Sequence, residues 1–149
     1  MRLGVRLAAA AAVCALPFAC ADFSALEDPA FGLPNVEVAQ PSYAADVQPI
    51  FNKRCAVGGC HTPGAQQGGL ALDATASYDE LVGVPATTSV DSYLRVQAGS
   101  AADSWLVRRL HPDPAVRSGQ ARMPLAATPL TDNQLATIVN WIDQGALRN

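Results

Sequence analysis

Two thiols and an imidazole fall within seven residues of this chain, at Cys55, Cys60 and His61 in the run Cys55-Ala56-Val57-Gly58-Gly59-Cys60-His61. Thiols so placed can add across the vinyl groups of a porphyrin to give thioethers, and the imidazole beside the second thiol is then set at the iron as its fifth ligand. The usual spacing leaves two residues between the cysteines; this chain has four. Two of the four are Gly58 and Gly59, and glycine tolerates left-handed backbone, so the longer loop can fold without separating the sulfurs. Other chemistries use the same residues. Cys55 and Cys60 can close a disulfide in an oxidising compartment. Together with His61 they can begin a zinc site, but a structural zinc takes four protein ligands. Only His111 and distant carboxylates remain to complete one, because Cys14 and Cys20 lie in a segment expected to be cleaved or lipid-modified.

An iron held by His61 has a sixth position to fill. Met123 is the one methionine besides Met1, and it stands in a proline-containing stretch as Arg122-Met123-Pro124. A thioether ligand favours ferrous iron and raises the reduction potential, which suits an electron carrier. A lone methionine more often fills a core, yet no amphipathic pattern surrounds this one. His111 is the rival ligand, and as a helix-end histidine it would instead sit near the negative end of the dipole. An open sixth position with His111 as a polar distal group would suit a peroxidase. Arg122 is a candidate to face a haem propionate, and Leu70, Trp105, Leu106, Ile138 and Ile142 are candidates for an apolar wall.

Compartment bears on this chemistry. Arg2 and Arg6 precede an apolar run from Leu7 to Phe18, the pattern of an export signal over residues 1–21, too short to span a bilayer comfortably. Ala19-Cys20-Ala21 fits ordinary signal cleavage, while Cys20 offers a site for a lipid anchor. The whole chain carries a net charge of -3, which becomes -5 without the two arginines of the signal, so nothing electrostatic points to nucleic acid. Residues 22–41 hold Pro29, Pro34 and Pro41 and no periodicity, and are expected to be a flexible linker to one small domain over residues 42–149.

The elements that position the site read as helices. Tyr43, Val47, Ile50 and Phe51 make one stripe of a helix that delivers Cys55, with Asp46 expected as its cap and Pro49 in its first turn. Thr62 to Gly69 is loop chemistry. Leu70 and Leu72 suggest an extended crossing, followed by a short helix from about Ala74 to Val82, and nothing firm is read between Gly83 and Gln97. A helix is expected over Ser100 to Leu110, opened by Ser100 with Asp103. A long loop follows from His111 to Thr128. The last helix has a Thr131/Gln134 capping box, a stripe of Leu135, Ile138, Val139 and Ile142, and Gly145 at its end, with Trp141 placed to meet the first helix. No convincing strand pair is seen, so the expected fold is all-α: about four short helices with long loops around one haem.

The ordered series Asp46-Val47-Gln48-Pro49-Ile50-Phe51, Cys60-His61, Gly68-Gly69-Leu70-Ala71-Leu72-Asp73, Tyr78 with Leu81-Val82, Ser104 to Leu110, Met123-Pro124, and Leu130-Thr131-Asp132 through Trp141 to Ala146 resembles the c-type cytochrome modules of planctomycetes and myxobacteria, often exported lipoproteins. The resemblance covers residues 42–147, and the four-residue cysteine spacing departs from the usual motif. It implies a small cytochrome c fold carrying one covalent haem c on Cys55 and Cys60, with axial ligands His61 and Met123. It also implies an exported electron carrier, periplasmic or anchored at a membrane or cell surface, with redox proteins as partners, no span after signal removal and no enzymatic activity of its own. The residue that orients the second nitrogen of His61 is not identified by the motif. The other function the residues allow is a non-redox interaction module stapled by a Cys55–Cys60 disulfide.

Overall fold

A proline near the start of a helix has no N–H to give and crowds the turn before it. In the computed structural model, which describes residues 27–149 except Pro29 and Val90, Pro49 is preceded by a widened, π-helical turn over Tyr43–Val47. Helix α1 then runs over Gln48–Arg54 with Pro49 in its first turn. Ser42, not Asp46, caps the run: its hydroxyl accepts from the Ala45 N–H at 3.3 Å, and its own N–H donates to the Asp46 carboxylate at 2.8 Å. Such reciprocal bonding satisfies donors that a helix start leaves open.

Three further α-helices follow: α2 over Ser77–Leu81, α3 over Trp105–Leu110 and α4 over Asp132–Asp143. In α4 the Thr131 hydroxyl accepts from the Gln134 N–H and the Gln134 side chain returns to the Thr131 N–H, as the sequence predicts. Helix α3 starts five residues later than expected. Ser100 does bond Asp103, at 2.7 Å. Ser104, however, pairs with Leu94 in a parallel bridge and its hydroxyl is engaged with Gln97 and Ser100, which holds the backbone extended until Trp105.

The fold is not all-α. Strands β1 (Glu27–Asp28) and β2 (Leu33–Pro34) form a small antiparallel pair, and isolated bridges join Val82 to Val96 and Pro85 to Leu94. The helices are short and the architecture is mixed. Two-residue strands show no alternation of apolar and polar side chains, which is why no such pattern betrays them.

The hairpin falls inside the stretch read as a linker, and the described part of that stretch lies against the domain. The Asp28 carboxylate pairs with Arg54 at 2.7 Å and accepts from Gln134 of α4 at 3.2 Å. The Val38 N–H donates to Thr137, and Asn133 and Asn140 of α4 donate to the carbonyls of Asn35 and Val38. The expected export signal over residues 1–21 and the anchor at Cys20 lie outside the described residues.

The core forms where the first and last helical runs meet. Tyr43 stacks obliquely on Trp141 with ring centroids 4.9 Å apart and meets Tyr78 edge-on at 5.2 Å. Phe51, Ile138 and Ile142 are wholly buried beside them. The Tyr43 hydroxyl donates to Ser77 at 2.6 Å, and Ser77 donates to Gln48, so the polar atoms taken into this core are paired. No helix among the described residues is long and apolar enough to cross a membrane.

Candidate functional site

Helix α1 hands the chain to Cys55 at its C-terminal end, where the Cys55 N–H still bonds the Phe51 carbonyl at 2.9 Å. With two residues between the cysteines, the histidine would lie four places after the first cysteine, within reach of an ordinary helical hydrogen bond to its carbonyl. Here the His61 N–H reaches the same Cys55 carbonyl, at 3.1 Å, from six places on. The two additional residues are taken up in a turn closed by Cys60 N–H to Val57 carbonyl at 3.0 Å. Gly59 makes that turn at φ +80, with nothing within 4 Å of where a Cβ would stand. Gly58 keeps an ordinary backbone, so only one of the two glycines is required by conformation.

After His61 the chain runs out and returns through Gly68 and Gly69, both left-handed at φ +69 and +66. The return brings the Leu70 carbonyl to 3.1 Å from His61 Nδ1. A carbonyl only accepts, so Nδ1 carries a proton, and in the neutral imidazole Nε2 is then the nitrogen with a free lone pair. The orienting partner that the motif did not identify is therefore a backbone carbonyl. Leu72 N–H bonds the His61 carbonyl at 2.8 Å, and Gln48 of α1 donates to the Leu72 carbonyl at 3.0 Å, so the returning segment is tied through both backbone polar groups of Leu72.

Met123 is delivered by the long loop after α3. Its N–H donates to the Arg109 carbonyl at 2.8 Å, and its side chain packs partly buried against the core. Arg117 shapes the loop from inside, donating to the carbonyls of His111, Pro112 and Gln120. His111 accepts the Asp113 N–H at Nδ1. Arg122 donates to the Leu110 carbonyl at 2.8 Å.

Cys55, Cys60, His61 and Met123 line one cavity of about 600 Å³, within the size range of small-molecule and cofactor sites. Its walls are mainly apolar: Leu70, Trp105 and Leu106, as the sequence suggests, and also Leu72, Leu81 and Leu110. Ile138 and Ile142 are not among the lining residues; they belong to the wholly buried core. Neither His111 nor Arg122 lines the cavity. In their place the structure brings Arg54, Arg95 and Arg109, three arginines that no local pattern marks as site residues.

These residues fit a covalently held haem. Both cysteines are free thiols in the structure, with no bond between them. Burial pushes the Cys55 thiol up to about 12, with Arg54 opposing the shift, so Cys55 behaves as a small neutral apolar group in the cavity wall. His61 offers Nε2 as a nitrogen ligand, with Nδ1 engaged by the Leu70 carbonyl, Met123 offers a soft sulfur, and the walls are mainly apolar. The zinc alternative is less well served, since no group of three or more His, Cys, Asp or Glu side chains that could hold a metal occurs among the described residues.

No family model matches the chain, and no curated protein or solved structure is similar enough to it to count as a relative.

Proposed function

We propose that this chain is an exported monohaem c-type cytochrome that carries electrons between redox proteins, without an enzymatic reaction of its own. The observation that supports it most is the convergence of Cys55, Cys60, His61 and Met123 on a single apolar cavity, with the proton of His61 held at Nδ1. Cys55 and Cys60 would hold the group through thioethers, and His61 and Met123 would supply nitrogen and sulfur ligands to its iron. A haem bound there supplies an iron that takes up and gives back one electron.

The protein's own part is to hold and to exclude. The Leu70 carbonyl fixes the imidazole against rotation and raises its basicity. The Arg109 carbonyl anchors the backbone at Met123, so the sulfur is carried on a tethered residue. Leu70, Leu72, Leu81, Trp105, Leu106 and Leu110 keep water from the cavity, and low polarity around such a site tunes its potential. Exported location, as a soluble periplasmic protein or one anchored through Cys20, follows from the signal-like N-terminus and belongs to the same proposal.

The test is covalent attachment. The chain is expressed in cells equipped for c-type maturation and run on a denaturing gel stained for haem peroxidase activity. The wild type is expected to stain, Cys55→Ala and Cys60→Ala to stain weakly, and the double variant not at all. A wild type that does not stain, from cells that mature a control cytochrome, contradicts the proposal.

A further inference from the structure

The three arginines that line the cavity are not equivalent. Arg54 is paired with the Asp28 carboxylate at 2.7 Å and also donates to the carbonyls of Thr128 and Pro129. Arg95 donates to the carbonyls of Glu80 and Gly69 at 2.8 Å, and the Glu80 carboxylate stands 4.0 Å away. Among the described residues Arg109 has a single acceptor, the neutral amide oxygen of Gln120 at 3.2 Å. A guanidinium has five N–H donors. Among the described residues no carboxylate lies within ion-pairing distance of Arg109, and the ion pairs there belong to Arg54, Arg95 and Arg148. Its charge lies 6.0 Å from the centre of the Trp105 ring, against the cavity's aromatic wall.

Burial lowers the pKa of Arg109, and the neighbouring Arg117 lowers it further, so the folded chain holds this charge at a cost that no carboxylate among the described residues offsets. An apolar cavity with one under-used, half-buried cation on its wall suits a ligand that is largely apolar and carries an anionic group.

We infer that Arg109 is the carboxylate-holding residue of the cavity, binding an acid group of its occupant through charge-assisted hydrogen bonds. The inference rests on the haem reading, in which that acid is a propionate, and it moves the role from Arg122, whose Nε bonds the Leu110 carbonyl and which does not line the cavity. Arg109 thereby has two positioning roles: its carbonyl anchors Met123, and its guanidinium fixes how the occupant sits across the cavity.

The test separates the carboxylate contact from haem binding as such. The full chain carrying Cys55→Ala and Cys60→Ala, which cannot form thioethers, is titrated with ferric haem and with the dimethyl ester of ferric haem, and Soret absorbance reports binding. A charge-assisted contact of this kind discriminates by roughly tenfold or more. Haem is expected to bind at least that much more tightly than its ester, with the preference lost in an added Arg109→Gln and partly kept in Arg109→Lys. Circular dichroism checks that each variant is folded. Equal affinity for acid and ester with Arg109 present, or an unchanged preference in Arg109→Gln, overturns the assignment and leaves the haem reading standing. Binding of neither compound overturns both.

Discussion

Asp28 and Arg54 lie 26 residues apart in sequence, yet their ion pair fastens the N-terminal hairpin to the helix that delivers Cys55. The Arg54 side chain is 1% exposed and that of Asp28 9%. The guanidinium also lies over the Phe31 ring, 3.8 Å from its centroid, and reaches the carbonyls of Thr128 and Pro129. Asp28→Asn leaves those contacts but removes the carboxylate paired with a buried cation. Breaking a buried pair from one side typically costs about 3–5 kcal/mol, because the remaining charge is neither paired nor hydrated. That is a large share of the roughly 5–15 kcal/mol that holds an ordinary domain together. Urea unfolding followed by fluorescence of Trp105 and Trp141 measures the loss. The double variant Asp28→Asn with Arg54→Met closes a mutant cycle, and a coupling energy of about 2–4 kcal/mol is expected. A coupling below about 0.5 kcal/mol, the level of an exposed pair, would refute the reasoning and leave residues 27–41 a loosely attached tether.

Alkaline pH is a second lever. Burial raises Tyr43 from 10.0 to about 12 and Cys55 from 9.0 to about 12, so in the haem-free chain both stay protonated when folded after they would ionise in the unfolded chain. Stability conferred by these groups is complete below pH 9 and is lost as pH rises from 9 towards 12, with a slope of up to about 1.4 kcal/mol per pH unit for each group. Cys55→Ala should remove the part of the decline that begins near pH 9, and Tyr43→Phe the part that begins near pH 10. A slope unchanged in both would contradict the burial described for them. Gly59→Ala forces an alanine to φ +80 and should lower stability by about 1–2 kcal/mol, whereas Gly58→Ala should cost little; equal losses would mean the turn is not formed as described. Thr131→Ala removes the hydroxyl of the α4 capping box, and an expected loss of about 1 kcal/mol is measurable by the same urea titration.

Helix α4 was legible because its signals are local: a capping box, an apolar stripe at helical spacing and a terminal glycine lie within fifteen residues. The meeting of Trp141 with the first helical run was legible for the same reason. The start of α3 was not, since Ser104 is held extended by Leu94 from another part of the chain. The hairpin at Glu27–Asp28 and Leu33–Pro34 escaped because its strands are too short to alternate and its stabilising partner, Arg54, is remote. Around the cavity, Cys55, Cys60, His61 and Met123 stand out in the sequence by residue type and order, and the structure brings all four to its lining. The Leu70 carbonyl had no side chain to announce it, and Arg109 acquires its place only when α3 is packed against the cavity. Arg122, chosen for its adjacency to Met123, illustrates the limit of sequence neighbourhood: its side chain bonds the Leu110 carbonyl and is absent from the cavity wall.

The central claim is that His61 and Met123 both ligate a haem held by this chain. Its most direct test is the absorption spectrum of the matured protein beside that of Met123→Ala. A sharp reduced α-band and a weak near-infrared sulfur-to-iron band in the oxidised wild type, with the near-infrared band gone from the variant, is the expected result. A near-infrared band that survives Met123→Ala, or a wild type without any haem absorbance, would contradict it.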